Sequence, residues 1–371
     1  MKKIVLISET LSGGVRKHLV DLMENIDKDK YEVYLLYSEK RADKVFWNKI
    51  EHLNSLKIKM YNIENFDRDI SLKSDIKGFI RIFNTIKRID PDVVHCHSSK
   101  AGALGRVAAK ILGVKKIIYT PHAYMFQNPN TNKVKKTAFM LLEKYLSKIT
   151  NLTLNVSEGE RKVALQKGVI KESDSKVIFN GVNPLQKNNN SQNKHDTLWV
   201  GTIGRMDDQK DPFTFLEIAK TLIPKYPNLK FAYVGDGIHY DEMKRQISKD
   251  MLGERLLLFG FQDNPTQYLN TFDIFISTSL YEGFPYSLLE ALSASLPIVA
   301  TNVTGNNEIV VDGKNGYLFE PKNISEAVAK IEKIINSQVN SINELGKESL
   351  SMYEKSFTIK KMINQIESVY E

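Results

Sequence analysis

One cysteine, Cys96, stands among 371 residues, and that scarcity excludes a disulfide framework and suits a reducing compartment. No stretch approaches the roughly 18 consecutive apolar residues of a membrane-crossing helix. The apolar start, Met1-Lys2-Lys3-Ile4-Val5-Leu6-Ile7-Ser8, is cut short by Glu9 and Gly13-Gly14. It is too brief for a signal peptide and reads as a buried strand. Metal-ligand spacings such as C-x-x-C or H-x-x-x-H are missing. So are nucleic-acid fold signatures, and the basic residues lack the aromatic interleaving of a single-strand binder. Acid is outnumbered: 52 Lys and Arg face 44 Asp and Glu, for a net charge of +8. Such an excess attracts nucleotides or an anionic leaflet, and also suits a plain solvated surface.

What is present is an ordinary globular composition, 42% hydrophobic and 26% charged, with length enough for two domains. Short apolar runs alternate with amphipathic stretches. The first half predicts strands over Lys3–Ser8, Tyr31–Tyr37, Ile58–Asn62, Val93–His97, Ile117–Thr120, Leu152–Val156 and Lys176–Phe179. Helical patterns over Val15–Asn25, Leu72–Ile89, Ala101–Leu112 and Lys135–Ile149 fall between them. The run Lys187-Asn188-Asn189-Asn190-Ser191-Gln192-Asn193-Lys194 holds no apolar residue and reads as a linker or a disordered loop. The alternation then resumes with strands over Leu198–Gly204, Lys230–Val234, Leu256–Phe259, Asp273–Ser277 and Ile298–Thr301. Everything from Ile324 to Glu371 reads as helical. Strand–helix alternation implies parallel sheets covered on both faces, an α/β class.

Three segments of the second half carry chemistry. Glu282-Gly283-Phe284-Pro285-Tyr286-Ser287-Leu288-Leu289-Glu290 puts one acid on a strand-to-helix loop and another eight positions on, within the helix. Ligands bind at such loops in open parallel sheets, and helix-start N–H groups suit a phosphate or a sugar hydroxyl. Gly204-Arg205-Met206-Asp207-Asp208-Gln209-Lys210 follows a strand, with Gly204 allowing close backbone approach and two cations suited to phosphate. Gly235-Asp236-Gly237 is a tight turn after another strand, and Phe261 and Gln262 follow a third. In the first half, Gly13 and Gly14 open the first helix, where an anion or acceptor could approach. His97, Lys100, Arg106 and His122 lie at strand ends or in the helix that follows. Lys100 reads equally as an acceptor-phosphate contact and as a surface lysine. His95, His97 and His122 lack a full cluster of three or four ligands by spacing, so no metal is expected. Asp67-Arg68-Asp69 matches a metal-binding D-x-D by letter only.

Lys133, Lys135, Lys136, Lys144 and Lys148 interleave with Val134, Ala138, Leu141, Leu142 and Tyr145 at helical spacing. A basic amphipathic helix of this kind can lie on a membrane surface.

Taken in order, the three segments of the second half resemble the E-x7-E family 4 glycosyltransferases, retaining enzymes of the GT-B fold. The Thr120-Pro121-His122 and Ser98-Ser99-Lys100 stretches resemble bacterial members that build capsule or exopolysaccharide repeat units. The resemblance implies two Rossmann-like parallel-sheet domains facing a cleft. It places an acceptor-binding domain over 1–183, a linker over 184–196, and a nucleotide-sugar domain over 197–356. A last helix, about 357–371, would return to the first domain through Phe357, Ile359, Met362, Ile363, Ile366 and Val369. It implies that Arg205 and Lys210 hold the donor diphosphate, Glu290 the ribose and Glu282 the donor sugar, with His122 nearby. Gly14, Gly235, Asp236, Gly237, Phe261, Gly283, Phe284, Tyr286 and Ser287 would border the donor; Gly13, His97, Lys100 and Arg106 would face the acceptor. The donor implied is a UDP-sugar and the acceptor a saccharide or a polyprenyl-diphosphate-linked saccharide. No metal or other cofactor is expected, nor nucleic acid. The setting implied is the cytoplasm, peripherally on the inner membrane face through 133–148. Pro285-Tyr286 departs from the small residues many members have there, which bears on sugar selection. Two rival readings stand beside this one: a nonhydrolysing nucleotide-sugar epimerase on the same fold, and a non-catalytic nucleotide-sugar-binding partner of another transferase.

Overall fold

A computed structural model describes residues 1–66, 71–127, 131–185, 197–337 and 340–371. Asp67-Arg68-Asp69 and nearly all of the predicted linker lie outside them. The chain forms two compact units, Met1–Asn180 with Ile359–Glu371, and Gly181–Thr358.

The first unit is built on seven parallel strands: β1 Lys2–Ser8, β2 Tyr31–Tyr37, β3 Lys59–Asn62, β4 Val93–His97, β5 Lys116–Thr120, β6 Leu152–Asn155 and β7 Ser175–Val177. Their order is β3-β2-β1-β4-β5-β6-β7, with Leu6 opposite both Leu35 and His95 in register. Alternate side chains of β1 serve two cores. Ile4 and Leu6 join Leu19, Leu22 and Met23 on one face, while Val5 and Ile7 join Ile82, Ile86 and Ala108 on the other. This is why the strands read as continuous apolar runs. The terminal helix Ile359–Tyr370 buries Met362, Ile363, Ile366 and Tyr370 in the first of these cores.

The second unit has six parallel strands: β8 Leu198–Ile203, β9 Leu229–Val234, β10 Leu256–Gly260, β11 Ile274–Ser277, β12 Ile298–Thr301 and β13 Gly316–Phe319. Their order, β10-β9-β8-β11-β12-β13, repeats the pattern of the first sheet. In each sheet the strand order reverses beside the first strand, between β1 and β4 and between β8 and β11. The loops leaving the carboxyl ends there diverge and leave room for a ligand.

Sequence periodicity missed some elements. β13 is four residues opened by Gly316, just after the turn residues Asp312-Gly313-Lys314-Asn315, so it reads as part of a loop. The helix Glu158–Gln166 carries five charged or amide side chains and little apolar pattern. The stretch after Ile324 is three helices, Ile324–Ile335, Asn340–Ser356 and Ile359–Tyr370. Phe357 precedes the last of them and packs with its ring tilted 54° against Phe284 within the second unit, ring centroids 5.6 Å apart, so it is not on the returning helix. Among the described residues no helix is long and apolar enough to cross a membrane.

Candidate functional site

The second unit gathers its candidate residues at the β8/β11 reversal. Backbone and side-chain bonds tie the loop leaving β8 to the loop leaving β11. Leu280 N–H donates to Gln209 O at 2.8 Å, and Gln209 Nε2 donates to Tyr281 O at 3.0 Å. The Thr278 hydroxyl donates to Lys210 O at 2.8 Å. Asp207 Oδ1 accepts from Lys210 N–H at 3.1 Å, closing a local turn that aims the lysine. Lys210 Nζ therefore meets Glu282 Oε1 at 2.6 Å, although 72 positions separate them in sequence. The Glu282 side chain is only 7% exposed, so this ion pair is shielded rather than solvated.

Arg205 sits differently. Its side chain is 64% exposed and reaches Asp207 Oδ2 at 3.1 Å, which leaves the guanidinium open to solvent on one side. Its carbonyl accepts from the Tyr233 hydroxyl at 3.1 Å. Burial, then the nearby Asp207 and Asp211 carboxylates, push that phenol far above its ordinary range, so it stays a neutral donor.

The glycines separate by role. A Cβ on Gly204 would meet the Lys210 side chain at an ordinary 3.6 Å. Gly235, at φ +144, is the constrained one, since a Cβ there would stand 1.9 Å from Gly204 O. Gly237 likewise could not carry a Cβ beside Met206 O. These two glycines let the loop after β9 pack against the Arg205 loop, so their requirement is met by the protein itself. Asp236 Oδ1 accepts from Gly237 N–H at 2.7 Å.

Phe284 and Tyr286 are buried, which turns their side chains to the core and leaves backbone groups as their means of contact. Gly283, Ser287 and Glu290 are half-buried, and Glu290 lies on the helix Tyr286–Ser293. Phe261 is half exposed. The sequence reading missed Gly305. It takes φ +84, and a Cβ there would strike Gly283 O at 2.4 Å, so the loop after β12 closes over the acid motif.

In the first unit several candidates are already engaged. Gly13 N–H donates to Asp43 Oδ2 at 3.3 Å, and the same carboxylate pairs with Arg16 at 3.1 Å. Gly14 follows in the helix Gly13–Asn25. Lys100 Nζ pairs with Asp75 at 2.6 Å. Arg106 is fully buried; it bonds Glu143 Oε2 at 2.7 Å and lies over the Tyr119 ring at 3.8 Å. Arg106 thus belongs to the core, not to an acceptor surface. The helix Ser99–Ile111 has its own internal anion, because buried Glu9 accepts from Ala101 N–H at 3.0 Å and from the Ser98 hydroxyl.

His97 and His122 come together at the carboxyl ends of β4 and β5, His97 Nδ1 3.1 Å from His122 Nε2. His122 and Ala123 take φ values of +54 and +88. Buried Glu160 holds that unusual backbone, accepting from Ala123 N–H at 2.6 Å and Val156 N–H at 2.9 Å. His18, absent from the sequence candidates, completes the group from the helix after β1, its ring centroid 4.7 Å from that of His122. Its Nδ1 is 3.1 Å from Asn180 Oδ1. His18, His97 and His122 could hold a metal, each offering a ring nitrogen within 4.8 Å of the others. The third member of the cluster is His18 rather than the His95 that the sequence offered. His95 is not part of it, being bonded to Tyr370 and Thr120. Burial lowers the His18 pKa to about 4 and takes His97 and His122 well below the usual imidazole range, so all three are neutral at pH 7.

Comparison with known proteins bears on the family and the fold. The profile described as Glycosyltransferase Family 4 matches residues 12–185, and that described as Glycosyl transferases group 1 matches 185–352. The chain is 29% identical to the UDP-Gal:alpha-D-GlcNAc-diphosphoundecaprenol alpha-1,3-galactosyltransferase of Escherichia coli, over 97% of this chain and 94% of that protein. It is 25% identical to the capsular polysaccharide biosynthesis glycosyltransferase CapM of Staphylococcus aureus, over 94% of this chain and 92% of that one. Among solved structures, Anabaena Alr3699/HepE in complex with UDP and glucose has the same fold, with TM-score 0.81, 19% identity and 99% of each chain covered. Two profiles that meet at residue 185 and together match residues 12–352 leave one assignment: the chain belongs to the family 4 glycosyltransferases, enzymes built on the paired Rossmann-like domains of the GT-B fold.

Proposed function

We propose that the chain transfers a sugar from a UDP-sugar, with retention of configuration, to a saccharide carried on a polyprenyl diphosphate during surface polysaccharide synthesis. The shielded Lys210–Glu282 contact at 2.6 Å carries this reading. Donor cleavage breaks the bond between the anomeric carbon and a β-phosphate oxygen, which keeps the electron pair. Negative charge grows on that oxygen, and the Lys210 ammonium, held in place, together with the Arg205 guanidinium stabilises it more in the transition state than before it. The acceptor hydroxyl forms the new bond on the same face and gives its proton to the departing phosphate, releasing UDP. Glu282 orients Lys210 and is available to accept from a sugar hydroxyl, and Glu290 to accept from the ribose. The step needs no metal. The E. coli relative's own donor and diphosphoundecaprenol acceptor support the substrate classes.

The test is thermal unfolding with UDP, GDP and ADP, run in excess chelator. UDP alone should raise the midpoint, by the equivalent of about 2.7 kcal/mol at a hundredfold excess over Kd. A shift with GDP or ADP instead, or with none of the three, contradicts the donor assignment.

The helix Lys133–Ser147 supports a peripheral membrane contact. It buries Glu143 and Leu146 inward, yet leaves Val134 80%, Leu141 51% and Tyr145 72% exposed along a second stripe. Lysines at 133, 135, 144 and 148 flank that stripe and are exposed. Each lysine near an anionic leaflet contributes about 1 kcal/mol. Sedimentation with vesicles of anionic phospholipid should pellet the protein, and Leu141→Ser with Tyr145→Ser should release most of it. Equal pelleting of that variant, or equal binding to neutral vesicles, argues against a lipid-facing helix.

A further inference from the structure

We propose that Gln209 is a positioning residue for the donor diphosphate, which it serves by fastening the Arg205 guanidinium to the loop that carries Glu282. The inference rests on the donor-binding role of Arg205 and Lys210 and adds a residue to that site.

Gln209 belongs to the loop leaving β8 and is half-buried. Its backbone oxygen accepts from Leu280 N–H at 2.8 Å, and its side-chain nitrogen donates to Tyr281 O at 3.0 Å. Those two partners stand directly before Glu282 in the loop leaving β11. Its side-chain oxygen, Oε1, accepts from Arg205 Nη2 at 3.3 Å. One amide thus bridges the guanidinium to the acid loop. A guanidinium only donates and a carbonyl only accepts, so a side chain that joins them must offer an acceptor to one and a donor to the other. Glutamine does both; glutamate lacks the donor and lysine the acceptor.

Arg205 is short of other restraints. Its side chain is 64% exposed. Asp207 Oδ2 takes Nη2 at 3.1 Å, but Asp207 is two positions away in the same loop, so that bond sets the arginine only against its own turn. Gln209 supplies the reference to the second loop. Lys210 has its own reference there, Glu282 Oε1 at 2.6 Å. Both cations are then placed relative to the loop leaving β11.

The tie leaves the arginine able to bind. Asp207 and Gln209 meet the same terminal nitrogen, while Nη1 and Nε have no hydrogen-bond partner among the described residues. Their donors remain for phosphate oxygens. A long exposed side chain loses rotamer freedom when it grips a ligand, and one restrained beforehand loses less. The gain reaches only ligands that touch the guanidinium. A nucleoside diphosphate receives it and a nucleoside does not.

The full chain is titrated by calorimetry with UDP and, separately, with uridine. The variants are Gln209→Met, Arg205→Ala and the two combined, each checked for cooperative unfolding. Methionine matches the length of glutamine and leaves the backbone bond to Leu280 in place. Gln209→Met should weaken UDP binding about 10-fold, as for loss of a hydrogen bond to a charged group, and leave uridine binding unchanged. Arg205→Ala should weaken UDP binding further. The double variant should match Arg205→Ala to within about twofold, because the amide then has no guanidinium left to hold. UDP affinity undiminished in Gln209→Met overturns the inference. So does an equal loss for UDP and uridine, or a double variant whose loss is the product of the two single losses. Arg205→Ala with parental UDP affinity contradicts the donor-binding role of Arg205 itself, and that result is separate from the other three.

Discussion

Lys210→Ala should lower turnover by about 100- to 1000-fold while the protein still unfolds cooperatively, the loss typical of removing one preorganised donor from a charge-developing oxygen. The lysine is a strong candidate because its surroundings fix it. Asp207 sets its turn, Thr278 holds its carbonyl and Glu282 takes its ammonium at 2.6 Å. Such positioning is worth little to an ordinary surface lysine, and most exposed ion pairs contribute under about 1 kcal/mol. Its value is that the ammonium need not reorganise when the leaving phosphate gains charge. A matched loss in kcat and kcat/KM would identify an interaction made in the transition state. A rise in KM alone would reduce Lys210 to donor binding, and unchanged turnover would remove it from the reaction. Arg205→Ala tests the more exposed partner, whose pairing with Asp207 leaves it freer to move.

Arg106→Ala should destabilise the first unit by about 3–5 kcal/mol, because it strands the Glu143 carboxylate in the core. The network has few spare partners. Arg106 Nε donates to Gly102 O at 2.6 Å and Nη2 to Glu143 Oε2 at 2.7 Å. The Tyr119 hydroxyl donates to Glu143 Oε1 at 2.9 Å. Gly102 makes room for this arrangement, as a Cβ there would press into the Tyr119 ring at 2.4 Å. The paired replacement Arg106→Met with Glu143→Leu removes both charges and should recover much of the loss, since a buried ion pair and an apolar pair of like volume are often equivalent. Chemical denaturation of the three variants decides it. A single variant as stable as the parent would show that Glu143 finds another partner or leaves the core.

These outcomes bear on what the sequence could disclose. The strands were legible because parallel strands covered on both faces are apolar throughout, as in Ile4-Val5-Leu6-Ile7. β13 was not, because Asp312-Gly313-Lys314-Asn315-Gly316 runs turn residues straight into its head. The three terminal helices merged into one because an amphipathic period carries no mark of the breaks between them. Arg205, Lys210, Glu282 and Glu290 were singled out by motif as candidates, yet nothing local says that positions 210 and 282 touch. Only the ordering of β8 beside β11 does that. Arg106 was placed facing the acceptor because a charged residue carries no local sign of burial; its partner lies 37 positions away. His18 was passed over for a related reason. A histidine on the inward face of a helix reads as core, and its meeting with His97 and His122 depends on β1, β4 and β5 ending side by side.

The central claim is that the donor diphosphate rests on Arg205 and Lys210 between Glu282 and Glu290. The most direct measurement is a crystal structure of the chain with a bound UDP-sugar or UDP. The β-phosphate should lie within hydrogen-bonding distance of Lys210 Nζ and the Arg205 guanidinium, with the ribose hydroxyls on Glu290. A diphosphate seated on other residues, with Lys210 still paired only to Glu282, would contradict the account.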